Sequence, residues 1–363
     1  MTEAPIVNNT LTVDAVTYYN YSTPLEIAKR EIKGRSESSF LAPTEILVKT
    51  KYAALNPVDV CLWQLCPKWL KRGQPKGFGG DFSGVVLQTG SEVKSFKAGD
   101  KIYGDILSPY TPYGSFANYQ VIDVTKQTKI AKVPEELPME KAAGIVIPFA
   151  TAYELITRHK NLKDANVLVL GGGTSVGMMG LQIVRHLGAK YILTTCSSKS
   201  ISIASDFGAH ETVDYHDKEE EYKQIVEAAK KHGKFDLIFD TCRDEVLLGR
   251  LKDVLKTKRE GGKYIQVMGS NTMSYGTVRY TDMLPSRGNL REQILSKLGL
   301  SNYDFAVGNL SDGAGYAKAV SDMWENRQFN VLVDTIYKFE EFKKAVDKFQ
   351  NGYVKGKLLV EFN

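Results

Sequence analysis

A chain of 363 residues, 43% apolar and 25% charged, has globular composition and is too long for one ordinary core, so two domains are expected. Its formal charge of +5 is spread without a run of like charges. The densest cluster, Lys218-Glu219-Glu220-Glu221-Tyr222-Lys223, mixes signs and reads as a solvated helix face, so no nucleic-acid partner is expected.

The four cysteines, Cys61, Cys66, Cys196 and Cys242, form no Cys-x-x-Cys pair. That spacing argues against a zinc ribbon, and so few cysteines in a chain of this size argue against a disulfide framework and for a reducing compartment. Residues 1–12 have neither a basic segment before an apolar core nor an Arg-rich amphipathic pattern, so a cytoplasmic rather than secreted protein is expected. The longest apolar stretch, residues 142–153, contains Gly144 and Pro148 and is too short and interrupted to span a bilayer. Peripheral association with a lipid surface is left open.

In chain order, the first third reads as strands and turns. Residues 45–54 (EILVKTKYAA), 81–89 and 118–123 are rich in β-formers, punctuated at Asn56-Pro57, Gly79-Gly80 and Gly99-Asp100. After Pro138 the pattern changes. Residues 139–156 have helical apolar spacing. Strands at 166–170, 191–195, 211–213, 235–240 and 262–268 then alternate with helices at 176–187, 200–207, 218–232 and 246–257. Alternation with wholly apolar strands predicts a parallel sheet covered on both faces. Residues 317–326 look helical, and the tail from 331 to 362 reads strand, helix (339–350), strand. The last strand has the character of the first domain, so the tail is expected to return there.

The sharpest local signal is Val167-Leu168-Val169-Leu170-Gly171-Gly172-Gly173-Thr174-Ser175-Val176-Gly177, running into an apolar helix. Glycines let the backbone turn tightly and approach a pyrophosphate, and the helix start offers free N–H groups and the positive end of its dipole. The strict G-x-G-x-x-G spacing is broken by Val176. A purely structural turn is the alternative, and the alternating context favours dinucleotide binding. The next strand ends Thr194-Thr195-Cys196-Ser197-Ser198-Lys199. An NAD site carries an acid about 20 residues past the first glycine, and here none appears until Asp206. A Ser197 donor and a Lys199 charge suit the 2′-phosphate of NADPH, with a Ser-rich helix cap as the plainer reading.

Further marks are Asn56-Pro57-Val58-Asp59, Gly80-Asp81-Phe82-Ser83-Gly84-Val85, residues 93–104 (VKSFKAGDKIYG) and residues 113–119 (YGSFANY). They continue with residues 148–153 (PFATAY), Gly208-Ala209, Val213-Asp214-Tyr215 and Lys355-Gly356-Lys357. In this order and spacing the chain resembles the medium-chain dehydrogenase/reductase superfamily, in its zinc-free quinone-reductase branch, over nearly its whole length. The turn GGGTSVG is most similar to fungal members, some of them associated with lipid droplets or mitochondria. The resemblance implies an α/β protein. A GroES-like, mostly β catalytic domain would cover residues 1–142 and 328–363. A Rossmann doubly wound parallel sheet would cover 143–327, with a cleft between the two for the nicotinamide.

Zinc members of that superfamily carry Gly-His-Glu with a ligating His. Here the matching stretch is Gly79-Gly80-Asp81, the four-cysteine lobe is missing, and no metal is expected. His159, His186, His210, His216 and His232 all fall in the Rossmann half and read as surface residues. The implied chemistry is hydride transfer from NADPH to a small electrophile that needs little activation, a quinone or an α,β-unsaturated carbonyl. The resemblance places Asn56 and Asp59 beside nicotinamide and substrate; a plain turn with Asp59 capping the next helix is the alternative. Members often carry Tyr two positions after the acid, where this chain has Cys61, and Tyr52 is a second candidate proton donor.

For the cofactor, the resemblance implies Thr151 near the phosphates, with the turn residues Gly171, Gly173, Thr174, Ser175, Val176 and Gly177. Ser197, Lys199 and Tyr215 would serve the adenine and 2′-phosphate. Cys242, Met268 and Gly269 would line the ribose and nicotinamide, and Lys357 the nicotinamide side. Thr174 stands where the family commonly has glycine. A homodimer through a Rossmann edge, with residues 273–280 as candidate edge, completes the expected partners. The competing reading is a low-turnover NADPH-binding protein with a regulatory or lipid-droplet-associated role.

Overall fold

The change of pattern after Pro138 resolves into two kinds of sheet. The computed structural model describes residues 5–107, 109–127, 129–158, 161–267, 273–308, 315–352 and 354–363. It divides into one unit of Met1–Ile147, Ser274–Arg279 and Val331–Asn363 and a second of Pro148–Met273 and Tyr280–Asn330.

The first unit is built on a seven-stranded sheet. Its order runs Val333–Lys338, Lys357–Glu361, Glu45–Ala54, Asp81–Thr89, Lys101–Asp105, Ile130–Lys132, with Tyr119–Asp123 also paired to Glu45–Ala54. The tail strand Lys357–Glu361 runs antiparallel to Glu45–Ala54 and parallel to Val333–Lys338. A parallel pair needs a crossover, and the helix Phe342–Gln350 provides it, burying Phe342, Ala345 and Val346. A smaller sheet of Ile6–Val7, Thr10–Tyr18, Glu26–Lys33 and Lys76–Gly77 packs Leu11, Val13 and Ala15 on Phe40, Leu47 and Ala117. Five of the eight residues of Glu26–Lys33 (EIAKREIK) are charged, which hides it from a β-propensity reading.

The second unit is one parallel sheet of six strands. The order is Glu211–Asp214, Tyr191–Cys196, Asn166–Leu170, Leu237–Asp240, Lys263–Val267, Asp304–Gly308. Counting by chain position this is 3-2-1-4-5-6, the dinucleotide-fold order, which reverses beside Asn166–Leu170. That strand is buried at every residue, as a sheet covered on both faces requires. The helix Ser175–His186 lies on it, and Gly180 lets it come close: a Cβ there would stand 2.9 Å from the Phe239 ring.

Four expectations are corrected. The helix at 246–257 is not formed. Gly249 is left-handed, Leu251–Asp253 makes one short turn, and the backbone of Val254 and Lys256 bonds to Phe235 as an extension of the sheet. The apolar run at 139–156 breaks into Met139–Ala143, a wide turn Val146–Ala150 containing Pro148, and Thr151–Thr157. Residues 273–280 form no edge strand; Ser274–Arg279 belongs to the first unit. One edge of the parallel sheet is Asp304–Gly308, preceded by helix Arg287–Lys297, neither of which the sequence pattern showed.

Candidate functional site

Three strand ends and one helix start meet at one end of the first unit's large sheet. Asp81 opens Asp81–Thr89, Lys357 opens Lys357–Glu361, and both strands flank Glu45–Ala54. Asn56 follows that middle strand and caps the helix Pro57–Gln64, whose first turn carries Asp59. Asp105 ends Lys101–Asp105 directly opposite Asp81. Asn56, Asp59, Asp81, Asp105 and Lys357 are all buried.

Their bonds form a chain. Lys357 Nζ donates to Asn56 Oδ1 at 2.5 Å and lies 3.7 Å from Asp81 Oδ2. Asn56 Nδ2 donates to Asp81 Oδ2 at 2.9 Å, and the Ile147 amide donates to Asp81 Oδ1 at 3.0 Å. The Asn56 amide donates to Asp59 Oδ2 at 2.8 Å, while Asp59 Oδ1 is buried without a hydrogen-bond partner among the described residues. The expected turn with a capping Asp59 is therefore present, and the same residues also make a buried charge network.

Burial disfavours every charge here. It pushes the Asp59 carboxyl well up, against the pull of the Asn56 amide and Lys357. It pushes Asp81 up to about 7, opposed by Lys357. Burial also pulls Lys357 down, opposed by Asp81 and Asp59. The hydrogen bonds decide who keeps the proton. Asp81 has donors on both oxygens and suits the carboxylate, Lys357 must donate to Asn56, and Asp59 with its unpartnered oxygen suits the neutral acid.

Tyr52 goes elsewhere. Its phenol donates to Glu361 at 3.1 Å, and burial and then that carboxylate push it up to about 12. Cys61 is half-buried on the helix that Asn56 caps.

In the second unit the glycine turn follows strand Asn166–Leu170. Gly171 has φ +85, and a Cβ at Gly177 would sit 2.1 Å from Gly171 O, so both positions require glycine for the strand to turn into the helix. Thr174 caps the helix: its Oγ1 accepts from the Gly177 amide at 2.9 Å and pairs with Thr241 Oγ1 at 2.9 Å. Ser175 and Val176 form the first turn of the helix. Gly173 is open except toward Ser200, whose Oγ would lie 3.3 Å from a Cβ there. Cys242 is buried against Gly171. A backbone open at Gly173 beside the start of a 12-residue helix fits a dinucleotide pyrophosphate.

Beside it, Ser197 precedes the short turn Ser198–Ser200 that carries Lys199, and Ser197 Oγ lies 3.3 Å from Ser200 Oγ. Tyr215 stacks on His216, with Lys218 Nζ 5.6 Å from the Tyr215 ring centroid. Thr151 is buried at the start of Thr151–Thr157, which packs on Ser175–His186. Met268 and Gly269 lie outside the described residues. Three acids that the sequence reading left without a role enter these sites: Asp81 and Asp105 in the first unit and Asp214 in the second. Asp81 was legible only as the residue after Gly79-Gly80; the other two follow from strand pairing.

The chain matches the family Alcohol dehydrogenase GroES-like domain over residues 42–135 and the family Zinc-binding dehydrogenase over residues 207–360. It belongs to the medium-chain dehydrogenase/reductase superfamily. It is 32% identical to Protein YIM1-2 of Lachancea thermotolerans over 96% of this chain and 98% of that one. It is 26% identical to Protein YIM1 of Saccharomyces cerevisiae over 97% and 98%. The quinone oxidoreductase of Coxiella burnetii has the same fold, with TM-score 0.74 at 20% identity over 97% of this chain and 100% of that one.

A zinc ion does not fit the residues of the first unit's cluster. Among the described residues no three His, Cys, Asp or Glu are placed to hold a metal. At Gly80, where zinc members carry His, a Cβ would lie 2.6 Å from Asp105 Oδ1 and 2.9 Å from Leu107 Cβ. Among these carboxyls the Lys357 ammonium lies beside Asp81, and the Lys129 ammonium lies 3.4 Å from Asp105.

Proposed function

We propose that this protein is a zinc-independent, NADPH-dependent oxidoreductase that reduces a quinone or an α,β-unsaturated carbonyl. The observation that carries the reading is the buried Lys357–Asn56–Asp81 chain with Asp59 beside it, next to Gly80, where the resemblance puts the histidine of zinc members. The glycine turn, open at Gly173, supports a dinucleotide. Ser197 and Lys199 support the 2′-phosphate of NADPH over the hydroxyl of NADH. The fold shared with a quinone oxidoreductase agrees with the acceptor class.

Bound NADPH supplies the hydride. Reduction of a quinone or enone then needs one proton at oxygen or carbon. Asp59 holds that proton: its carboxyl is kept neutral by burial and its Oδ1 is unpartnered among the described residues. It releases the proton to the reduced acceptor and regains one from solvent. Lys357 and Asn56 fix the charge around it, so the carboxylate left behind faces an ammonium. Within the second unit, this reading assigns Cys242, packed beside Gly171 of the glycine turn, to the ribose and nicotinamide.

The test is a binding titration with NADPH and NADH, followed by NADPH consumption against a panel of quinones and enones. Turnover of any acceptor supports the reading, and failure to bind either cofactor overturns it. Tight binding without turnover favours a second reading, a low-turnover NADPH-binding protein. One observation speaks for that alternative: Thr174 already occupies the Gly177 amide, a donor at the mouth of the turn.

A further inference from the structure

The strand order brings an acid to the cofactor site from outside the segment where one is normally sought. Glu211–Asp214, third in the chain, pairs in parallel with Tyr191–Cys196, and Asp214 stands opposite Cys196. Both strands end on the side of the sheet where the glycine turn lies, since Asn166–Leu170 runs parallel beside them. Asp214 Oδ2 accepts from the Ser198 amide at 3.1 Å. Asp214 Oδ1 accepts from the His216 amide at 3.0 Å and pairs with His216 Nδ1. Those bonds, His216 first, hold the Asp214 carboxyl below its ordinary range, so it is an anion at neutral pH. The same short turn, Ser198–Ser200, lies beside the glycine turn, since a Cβ at Gly173 would stand 3.3 Å from Ser200 Oγ. A dinucleotide with its pyrophosphate at Gly173 therefore carries its adenosine ribose past a segment with Lys199 on it and Asp214 bonded to it.

We propose that Asp214 is the acidic selector of this site. It accepts from the ribose 2′-hydroxyl of NADH and opposes the 2′-phosphate of NADPH, so that preference is set by Lys199 against Asp214 and both cofactors bind. The proposal rests on the dinucleotide reading of the glycine turn. A carboxylate that already bonds three donors has one lone-pair direction left for a hydroxyl. Toward a dianionic phosphate it presents only repulsion, screened because Asp214 is partly exposed.

The full chain, wild type and Asp214→Asn, is titrated calorimetrically with NADPH, NADH, 2′,5′-ADP and 5′-AMP. Asn keeps a carbonyl oxygen for the Ser198 amide and removes the charge; thermal melting checks that the fold is unchanged. Asp214→Asn is expected to tighten NADPH and 2′,5′-ADP about fivefold and to weaken NADH and 5′-AMP a few-fold, with the gain for the phosphorylated pair shrinking at high salt. Equal shifts for both pairs, or none, overturn the selector while leaving the glycine turn as the cofactor site. If no ligand of the four binds the wild type, the reading of the glycine turn falls, and the selector with it. Asp214→Ala is the second variant: if it reproduces the Asn shift, charge rather than the bond to Ser198 is responsible, and if only Ala moves the ratio, the selector is overturned.

Discussion

Two buried aspartates, Asp240 at a strand end in the second unit and Asp59 in the first turn of a helix in the first, are treated differently. In the second unit Asp240 is fully buried at the end of Leu237–Asp240 and fully bonded. Tyr264 and Gln266 both donate to Oδ2 at 2.8 Å, and the Cys242 amide donates to Oδ1 at 3.0 Å. In the first unit Asp59 is equally buried, yet one oxygen accepts a single amide and the other accepts nothing among the described residues. Burial raises both carboxyls. Asp240 spends its acceptors on organising the segment that carries Cys242 beside the glycine turn, whereas Asp59 keeps one in reserve. A buried acid whose bonds are all made is architecture, and one with an idle oxygen is available for chemistry.

The comparison can be broken at its strong end first. Asp240→Ala strands a phenol, an amide side chain and a backbone amide, and is expected to cost about 3–5 kcal/mol in urea unfolding. A loss near zero would show that the bonded network is not structural. Asp59→Asn removes an acid without stranding a buried donor of comparable number. Its melting temperature is expected to hold or rise while turnover on a reactive enone or quinone falls about a hundredfold. Destabilisation like that of Asp240→Ala would erase the contrast between the two sites.

Glu221 supplies an intermediate case in the second unit. It is buried, bonded on one oxygen to Lys218 at 2.7 Å and without a hydrogen-bond partner on the other among the described residues. Burial, against the pull of Lys218, pushes it up to about 7 from 4.5. The folded state thus holds this proton more tightly than the unfolded chain, so its cost to stability is absent below about pH 4.5, grows as pH rises through about 7 and is level above that. Glu221→Gln is expected to flatten that fall, raising the melting temperature by about 2–4 °C at pH 8 and little at pH 4.5. An identical pH profile for both proteins would refute the assignment.

Smaller effects separate the donors and the cofactor charge. Lys199→Ala is expected to weaken NADPH about fivefold and to leave NADH unmoved, read from paired titrations. Equal weakening would mean Lys199 serves the pyrophosphate or the fold. Tyr52→Phe loses only a bond to Glu361, worth about 0.5–1.5 kcal/mol, with turnover unchanged. A large fall in turnover would move the proton donor from Asp59 to Tyr52.

Much of the second unit was legible because local pattern and tertiary role coincide there. Asn166–Leu170 is apolar at every position because both faces are covered, and the glycines after it announce a turn that only glycine can make. The helix Lys218–His232 carries its own cap, Asp217, and its own amphipathic face. Where the reading failed, local and tertiary demands diverged. Residues 246–257 have helix-forming side chains, but the sheet takes the backbone at Val254 and Lys256. Glu26–Lys33 is a strand despite its charges because Thr10–Tyr18 pairs with it along eight residues.

By itself the sequence determined the superfamily, the alternating parallel half, the glycine turn and the lack of a histidine at Gly80, all properties of residues close together in the chain. The tertiary structure alone decided which charges meet. Lys357 reaches Asn56 across 301 positions because their strands are neighbours. Asp214 reaches Ser198 because the third strand lies beside the second. Charge pairing depends on distance in space, which strand order sets and spacing along the chain does not reveal.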